Sequence, residues 1–201
     1  YFTEAMNKND EQKEKNCARY IFKLKIFSSA IVFGVLVIFA YPLVFYVFNK
    51  PLMFYPLLLA AAYVFIFSLE SFFSSFFYAA EKVKYIAYKG ILFEFLRILL
   101  VAFILVFVSR NPGVTHAFVI LLAATFLTLI FVVWKIYQIS PHLFKRTDEI
   151  KKEEKKRILK FASYLTFASL SFVFLGNIGT IILGFLITDV AYVGFYSAAF
   201  T

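Results

Sequence analysis

The chain has 201 residues, of which 62% are apolar and 16% charged, and its formal net charge is +9 at pH 7. Soluble domains contain about 45–50% apolar and about 25% charged residues, and a chain of this length cannot hide so much apolar surface in a soluble core. The composition therefore excludes an ordinary soluble domain and predicts an integral membrane protein, whose outer apolar side chains are solvated by lipid.

Five stretches are long enough to cross a bilayer, which takes about 20 apolar residues. Short turns containing Pro or Gly separate several of them, and such turns end helices and join antiparallel neighbours. The sequence therefore predicts an all-α, polytopic transmembrane helix bundle with five complete spans and the start of a sixth near Tyr192. The predicted spans, segments A to E, cover residues 27–48, 52–78, 91–108, 114–134 and 161–187. Because the chain begins without Met and stops within an apolar stretch, we expect it to be an internal piece of a longer protein.

Lys and Arg are concentrated in three pieces of the chain. Residues 1–25, 79–90 and 135–160 hold six, three and nine of them, together 18 of the 21. Connections on the cytoplasmic side of membrane proteins are enriched in these residues. We therefore expect the three pieces to be cytoplasmic in a multi-pass protein of the cytoplasmic membrane. Anionic membrane lipids are then the expected partners of the positive charge, and no nucleic acid is needed to explain it.

The longest connection, residues 135–160, is also the most basic. It contains a charged run, 151–157, in which pairs such as Glu153 with Arg157 are typical of a solvated helix. We favour that interpretation over a dedicated binding site. The segment predicts a division into the end of a first lobe at 1–134, a basic inter-lobe linker at 135–160, and the start of a second lobe at 161–201.

Three ionisable residues fall inside predicted spans, where charge is costly and often functional. Glu70 lies in segment B, whereas Glu94 and Arg97 lie three residues apart in segment C and can pair on one helix face. Glu70 and Arg97 are also at similar distances from the B–C turn, so we expect them to meet across a hairpin. Either these residues contact an anionic or sugar-bearing substrate, or they form a structural ion pair in which Arg97 reaches towards the interface.

Other polar and small residues within the spans have two interpretations each. Serines surround Glu70, and Ser71 with Ser75 permits close helix packing, although hydrogen bonding to a hydrophilic cargo is the alternative. In segment E, Asn177 requires a partner inside the bundle and is a candidate for substrate binding. Its glycines, at positions Gly176, Gly179 and Gly184, provide either a hinge or a packing surface.

Searches for catalytic and cofactor motifs find nothing. His116 and His142 have no carboxylate or thiol at metal-ligand spacing, and Cys17 has no disulfide partner. There is no phosphate-binding glycine loop and no nucleophile turn. We expect no catalytic residue, no metal and no cofactor, which argues against a membrane enzyme such as a glycosyltransferase.

Segment E and the residues after it carry a recognisable signature. The stretch 177–186, the loop 188–191 and the Val-Gly-Phe-Tyr-Ser-Ala-Ala run at 193–199 resemble polysaccharide flippases of the multidrug/oligosaccharidyl-lipid/polysaccharide exporter superfamily. The opening residues 1–5, the turn 77–85 and the basic segment resemble cytoplasmic connections of that family. One departure is Gly179, which stands where many relatives have Asp.

The resemblance implies a transporter that flips a lipid-linked oligosaccharide between leaflets by alternating access of two lobes around a hydrophilic, often cationic cavity. It makes Arg97 the candidate for contact with the substrate phosphate. One alternative is a cation-coupled small-molecule or multidrug exporter that uses Glu70 or Glu94. Another is a non-transporting membrane scaffold of a glycan-assembly complex. The expected partners are membrane lipids, the lipid-linked glycan and glycan-assembly proteins.

Overall fold

A computed structural model describes residues 11–108, 113–141 and 152–186. Several sequence-based expectations fall outside these ranges, namely those on the opening residues 1–5, on His142 and the middle of the basic segment, on the loop 188–191 and on the start of a sixth span. The described residues form five α-helices: α1 Glu11–Pro42, α2 Phe54–Ala79, α3 Lys84–Phe103, α4 Val114–Ile139 and α5 Lys152–Leu186.

All five helices contain a stretch long and apolar enough to cross a membrane, which confirms the predicted all-α polytopic bundle. Two of them begin well before the predicted spans, α1 at Glu11 and α5 at Lys152. Hydropathy detects only the part of a helix that suits hydrocarbon, whereas Lys and Glu are good helix formers outside it. At about 1.5 Å per residue, α1 is longer than the roughly 30 Å of bilayer hydrocarbon, so its first turns extend beyond the membrane.

The ends of the helices follow from local chemistry. Pro42 lacks a backbone N–H, and the chain continues as a π-helical turn over Leu43–Val47. Asn49 then adopts the left-handed conformation (φ 52°), which Asn tolerates well, before a 3₁₀ turn begins at Pro51. A second π-helical turn, Ile104–Val108, follows α3.

The chain divides into two compact units, residues 1–150 and 151–201, and α5 belongs to the second. Within the first unit the packing order of the helices is α1, α2, α4, α3, because α4 packs against both α2 and α3. Helices α2 and α3 touch only slightly, although a turn of four residues joins them. The hairpin expected of segments B and C therefore packs along only a small part of its length.

The best-packed region of the first unit lies where α2 ends, α3 begins and α4 ends. Phe77, Val132 and Ile136 form its buried centre, and Tyr85 and Ile86 of α3 pack against it. The first turns of α1 lie at the same end of the unit, since Phe22 contacts Phe72 and Phe73 near the end of α2. We call this the basic end, because residues 79–90 and the lysines of the α1 start lie there.

Candidate functional site

Glu70 forms the centre of a buried polar cluster between α2 and α3. Its side chain is only 3% exposed, and Lys89 Nζ lies 2.8 Å from its Oε1. Ser74, one turn further along α2, donates a hydrogen bond to the same oxygen at 2.7 Å. Lys89 also donates to Ser74 Oγ at 3.4 Å. We call Glu70 and Lys89 the buried pair.

The serines of α2 that the sequence grouped with Glu70 do different things. Ser68 shares a hydrogen bond of 2.7 Å with Ser29 of α1, so it joins two helices. Ser74 binds Glu70, as described above, whereas Ser75 donates to the backbone carbonyl of Phe72 in its own helix. Serine hydroxyls thus support helix packing and hold a carboxylate here, and Ser71 lies on an exposed part of the surface.

Glu94 and Arg97 form a second pair, as their spacing predicted. Arg97 Nη2 lies 2.6 Å from Glu94 Oε2, and the guanidinium carbon is 6.0 Å from the centre of the Phe93 ring. The Arg97 side chain is 46% exposed and that of Glu94 51%. We call these residues the exposed pair, because no described helix of the first unit packs over either of them.

The predicted contact between Glu70 and Arg97 does not form, since each of them pairs with a different residue. The prediction assumed that α2 and α3 pack along their lengths, whereas α3 packs mainly on α4. Sequence reasoning places Lys89 in the basic connection and misses it as a partner. A signal is present in the sequence, because Lys89 is the lysine of 79–90 that lies nearest to the predicted span, and a buried carboxylate needs a cation or donors.

The candidate residues of segment E all lie within the unbroken helix α5 of the second unit. The Asn177 side-chain amide donates to the backbone carbonyl of Val173 at 2.8 Å, so this polar group is satisfied within its own helix. A Cβ placed on Gly176 would meet no atom within 4 Å. Gly179 and Gly184 lie further along the same helix. A hinge or packing role for these glycines stays a prediction.

The first unit has two other features that could bind a ligand, an apolar groove and a histidine. The groove, of about 420 Å³ between α2 and α4, is lined by apolar and aromatic side chains, among them Ala62, Ala123 and Phe126. His116, near the start of α4, has a buried Nδ1 with no hydrogen-bond partner among the residues that the structure describes. In the described ranges, no three His, Cys, Asp or Glu side chains come together in a way that could hold a metal ion.

A known protein family matches almost the whole sequence. The profile described as "polysaccharide biosynthesis protein" matches residues 2–201. This confirms the resemblance to polysaccharide flippases that segment E and the following residues indicated. No curated protein and no solved structure gives a significant match. Membership of this family and a bundle of membrane-spanning helices fit a transporter rather than an enzyme.

Proposed function

The chain belongs to the polysaccharide biosynthesis protein family, the family of polysaccharide flippases in the multidrug/oligosaccharidyl-lipid/polysaccharide exporter superfamily, and on that premise we propose that it flips a lipid-linked oligosaccharide across the cytoplasmic membrane by alternating access. In this proposal the exposed pair contacts the cargo. Arg97 binds the phosphate that links sugar to lipid, and Glu94 accepts hydrogen bonds from sugar hydroxyls.

The observation that carries the proposal is the position of the exposed pair. Both residues lie inside the predicted span 91–108, in the apolar helix that runs over Lys84–Phe107. At about 1.5 Å per residue, Arg97 is roughly 10 Å from the cytoplasmic end of the span and farther from its other end. The Arg97 guanidinium pairs with Glu94 inside the span and not with a group of the connection 79–90.

A half-exposed ion pair inside a span is difficult to reconcile with lipid. Charged side chains within membrane spans are costly and almost always face a bundle interior or a water-filled cavity. This favours a hydrated space next to the exposed face of α3. An arginine in such a space suits a phosphate, because the guanidinium group offers two parallel hydrogen bonds to its oxygens.

The charge distribution supports the direction of the proposed transport. We place residues 1–25, 79–90 and 135–160 on the cytoplasmic side, because they hold most of the Lys and Arg. The cargo then enters from the cytoplasm near the basic end and leaves on the opposite face. The basic segment 135–160 serves in this proposal as the linker between two lobes that rock around the cavity.

The proposal is tested by replacing Arg97 in cells that depend on this protein. Arg97→Gln should trap lipid-linked oligosaccharide in the inner leaflet, which is measured by its resistance to an impermeant glycosidase added outside spheroplasts. Arg19→Gln is the matched control, because Arg19 is an exposed arginine near the start of α1, and it should leave export intact.

Other outcomes identify the alternatives. If the null strain exports the glycan normally but accumulates dyes or drugs, the protein is a small-molecule exporter that uses a membrane carboxylate. If Arg97→Gln and all other charge-removing variants in the spans export normally while the null strain fails, the protein acts as a scaffold of glycan assembly.

A further inference from the structure

Family membership and sequence motifs give no role to Lys89, yet it makes the main polar contact between α2 and α3. The contact is enclosed, since Glu70 is almost fully buried and Ser74 is 5% exposed. Next to the turn that joins α2 and α3, Phe77 also stacks on Tyr85 with ring centres 5.5 Å apart. The buried pair is a polar contact between the two helices that lies further from the turn than this stacking.

The position of Lys89 on α3 also determines where the exposed pair points. In an α-helix, eight residues correspond to a rotation of about 80°, and five residues to about 140°. With Lys89 directed at α2, Arg97 therefore points about 80° and Glu94 about 140° away from that direction, in agreement with their side-chain exposures of 46% and 51%. A rotation of α3 that breaks the buried pair changes the direction of Arg97 as well.

On the α2 side, the stacking of Phe77 on Tyr85 next to the turn is the other contact that opposes such a rotation. Most of the packing of α3 is against α4. Rotation of α3 is opposed by the buried pair because a carboxylate as enclosed as Glu70 cannot be left without a cation or donor inside a membrane bundle.

We infer that Glu70 and Lys89 are positioning residues, which fix the rotation of α3 against α2 and so keep the exposed pair directed at the transport pathway. The part that concerns the pathway rests on the proposed function. The fixed rotation itself does not, and it is measurable without any transport.

The experiment measures distances between spin labels in the purified protein in lipid nanodiscs. In a Cys17→Ser background, Phe67→Cys on α2 and Phe95→Cys on α3 report on the α2–α3 arrangement, and Phe67→Cys with Ile130→Cys reports on α2–α4. All three labelled positions have exposed side chains. Adding Lys89→Met should abolish the narrow α2–α3 distance peak and leave the α2–α4 peak narrow, because α2 and α4 pack on each other independently of α3.

Two further variants complete the test. The exchange Glu70→Lys with Lys89→Glu restores an ion pair and should restore the narrow α2–α3 peak. Lys84→Met removes an exposed lysine of the same helix that lies near the Tyr85 ring, and it should leave both peaks unchanged.

A Lys89→Met protein with an unchanged α2–α3 peak would overturn the inference. Loss of both peaks would also overturn it, because the pair would then stabilise the whole bundle and not the rotation of one helix. If the distances behave as expected but export by Lys89→Met stays normal, the positioning stands and the proposed use of Arg97 fails.

Discussion

The buried pair and the exposed pair, both in the described part of the membrane-spanning helices, differ in what surrounds them. In the buried pair the Glu70 carboxylate is enclosed between α2 and α3 and also bound by Ser74, with Lys89 23% exposed, whereas the exposed pair lies on one helix, with about half of each side chain accessible. The buried pair constrains the packing of the helices, because an enclosed carboxylate does not tolerate the loss of its cation. An accessible pair inside a span is available to a ligand. The same chemistry therefore serves structure in one place and, in our proposal, transport in the other.

The largest expected difference between the pairs is in stability. Lys89→Met leaves the Glu70 carboxylate buried without its cation, and breaking a buried pair in this way costs about 3–5 kcal/mol. Arg97→Met leaves Glu94 accessible, and loss of an exposed pair costs at most about 1 kcal/mol. The free energy of unfolding in mixed micelles checks both values, and equal losses for the two variants would contradict the distinction.

A smaller effect is expected when the buried pair is replaced as a whole. Apolar side chains of similar volume in place of a buried pair are often neutral, so Glu70→Met with Lys89→Met should unfold within about 1 kcal/mol of the unaltered protein. The matching double variant of the exposed pair, Glu94→Met with Arg97→Met, should be similarly stable but inactive in export. If Glu70→Met with Lys89→Met is as unstable as Lys89→Met alone, the cluster contributes more to the free energy of unfolding than compensation of the Glu70 charge.

The hydrogen bond between Ser29 of α1 and Ser68 of α2 shows how much stability an uncharged polar contact between two helices contributes. Ser29→Ala removes the hydrogen bond to Ser68, and such bonds in membrane proteins contribute about 0.6 kcal/mol on average. Ser75→Ala is the control, because the Ser75 hydroxyl bonds only to its own helix. In thermal unfolding, Lys89→Met should be the least stable variant, followed by Ser29→Ala and then Ser75→Ala. If Ser29→Ala loses as much stability as Lys89→Met, the charged cluster contributes no more than a neutral hydrogen bond.

The smallest predicted effect concerns the turn beside the buried pair. Glu81 has φ 55°, a left-handed conformation that disfavours residues with a Cβ. Glu81→Gly relieves this strain but adds flexibility to the unfolded chain, so a net gain of about 0.5 kcal/mol is expected. Asn49→Gly, at φ 52°, should change stability less, because Asn tolerates this conformation. A loss of stability in Glu81→Gly would mean that the Glu81 side chain is needed for the turn.

Hydropathy predicted the five spans because bilayer thickness fixes how many apolar residues a span needs. It did not predict that α1 begins at Glu11, since charged residues continue a helix beyond the membrane. The Glu94–Arg97 pair was predictable because neighbours at this spacing share a helix face whatever the tertiary structure. The partner of Glu70 was not predictable from the sequence. It depends on the packing order of the helices, in which α4 and not α3 lies along most of α2. The length of the turn between α2 and α3 does not determine that order.

The central claim is that the face of α3 bearing the exposed pair borders water and not lipid. Val101 lies one turn beyond Arg97 on the same stripe of the helix and is 39% exposed. In a Cys17→Ser background, Val101→Cys should react with a charged, water-soluble thiol reagent in reconstituted protein, and added lipid-linked oligosaccharide should slow the reaction. A Val101→Cys protein that stays unreactive, while a lipid-soluble reagent labels it readily, would place this face against hydrocarbon and contradict the proposed pathway.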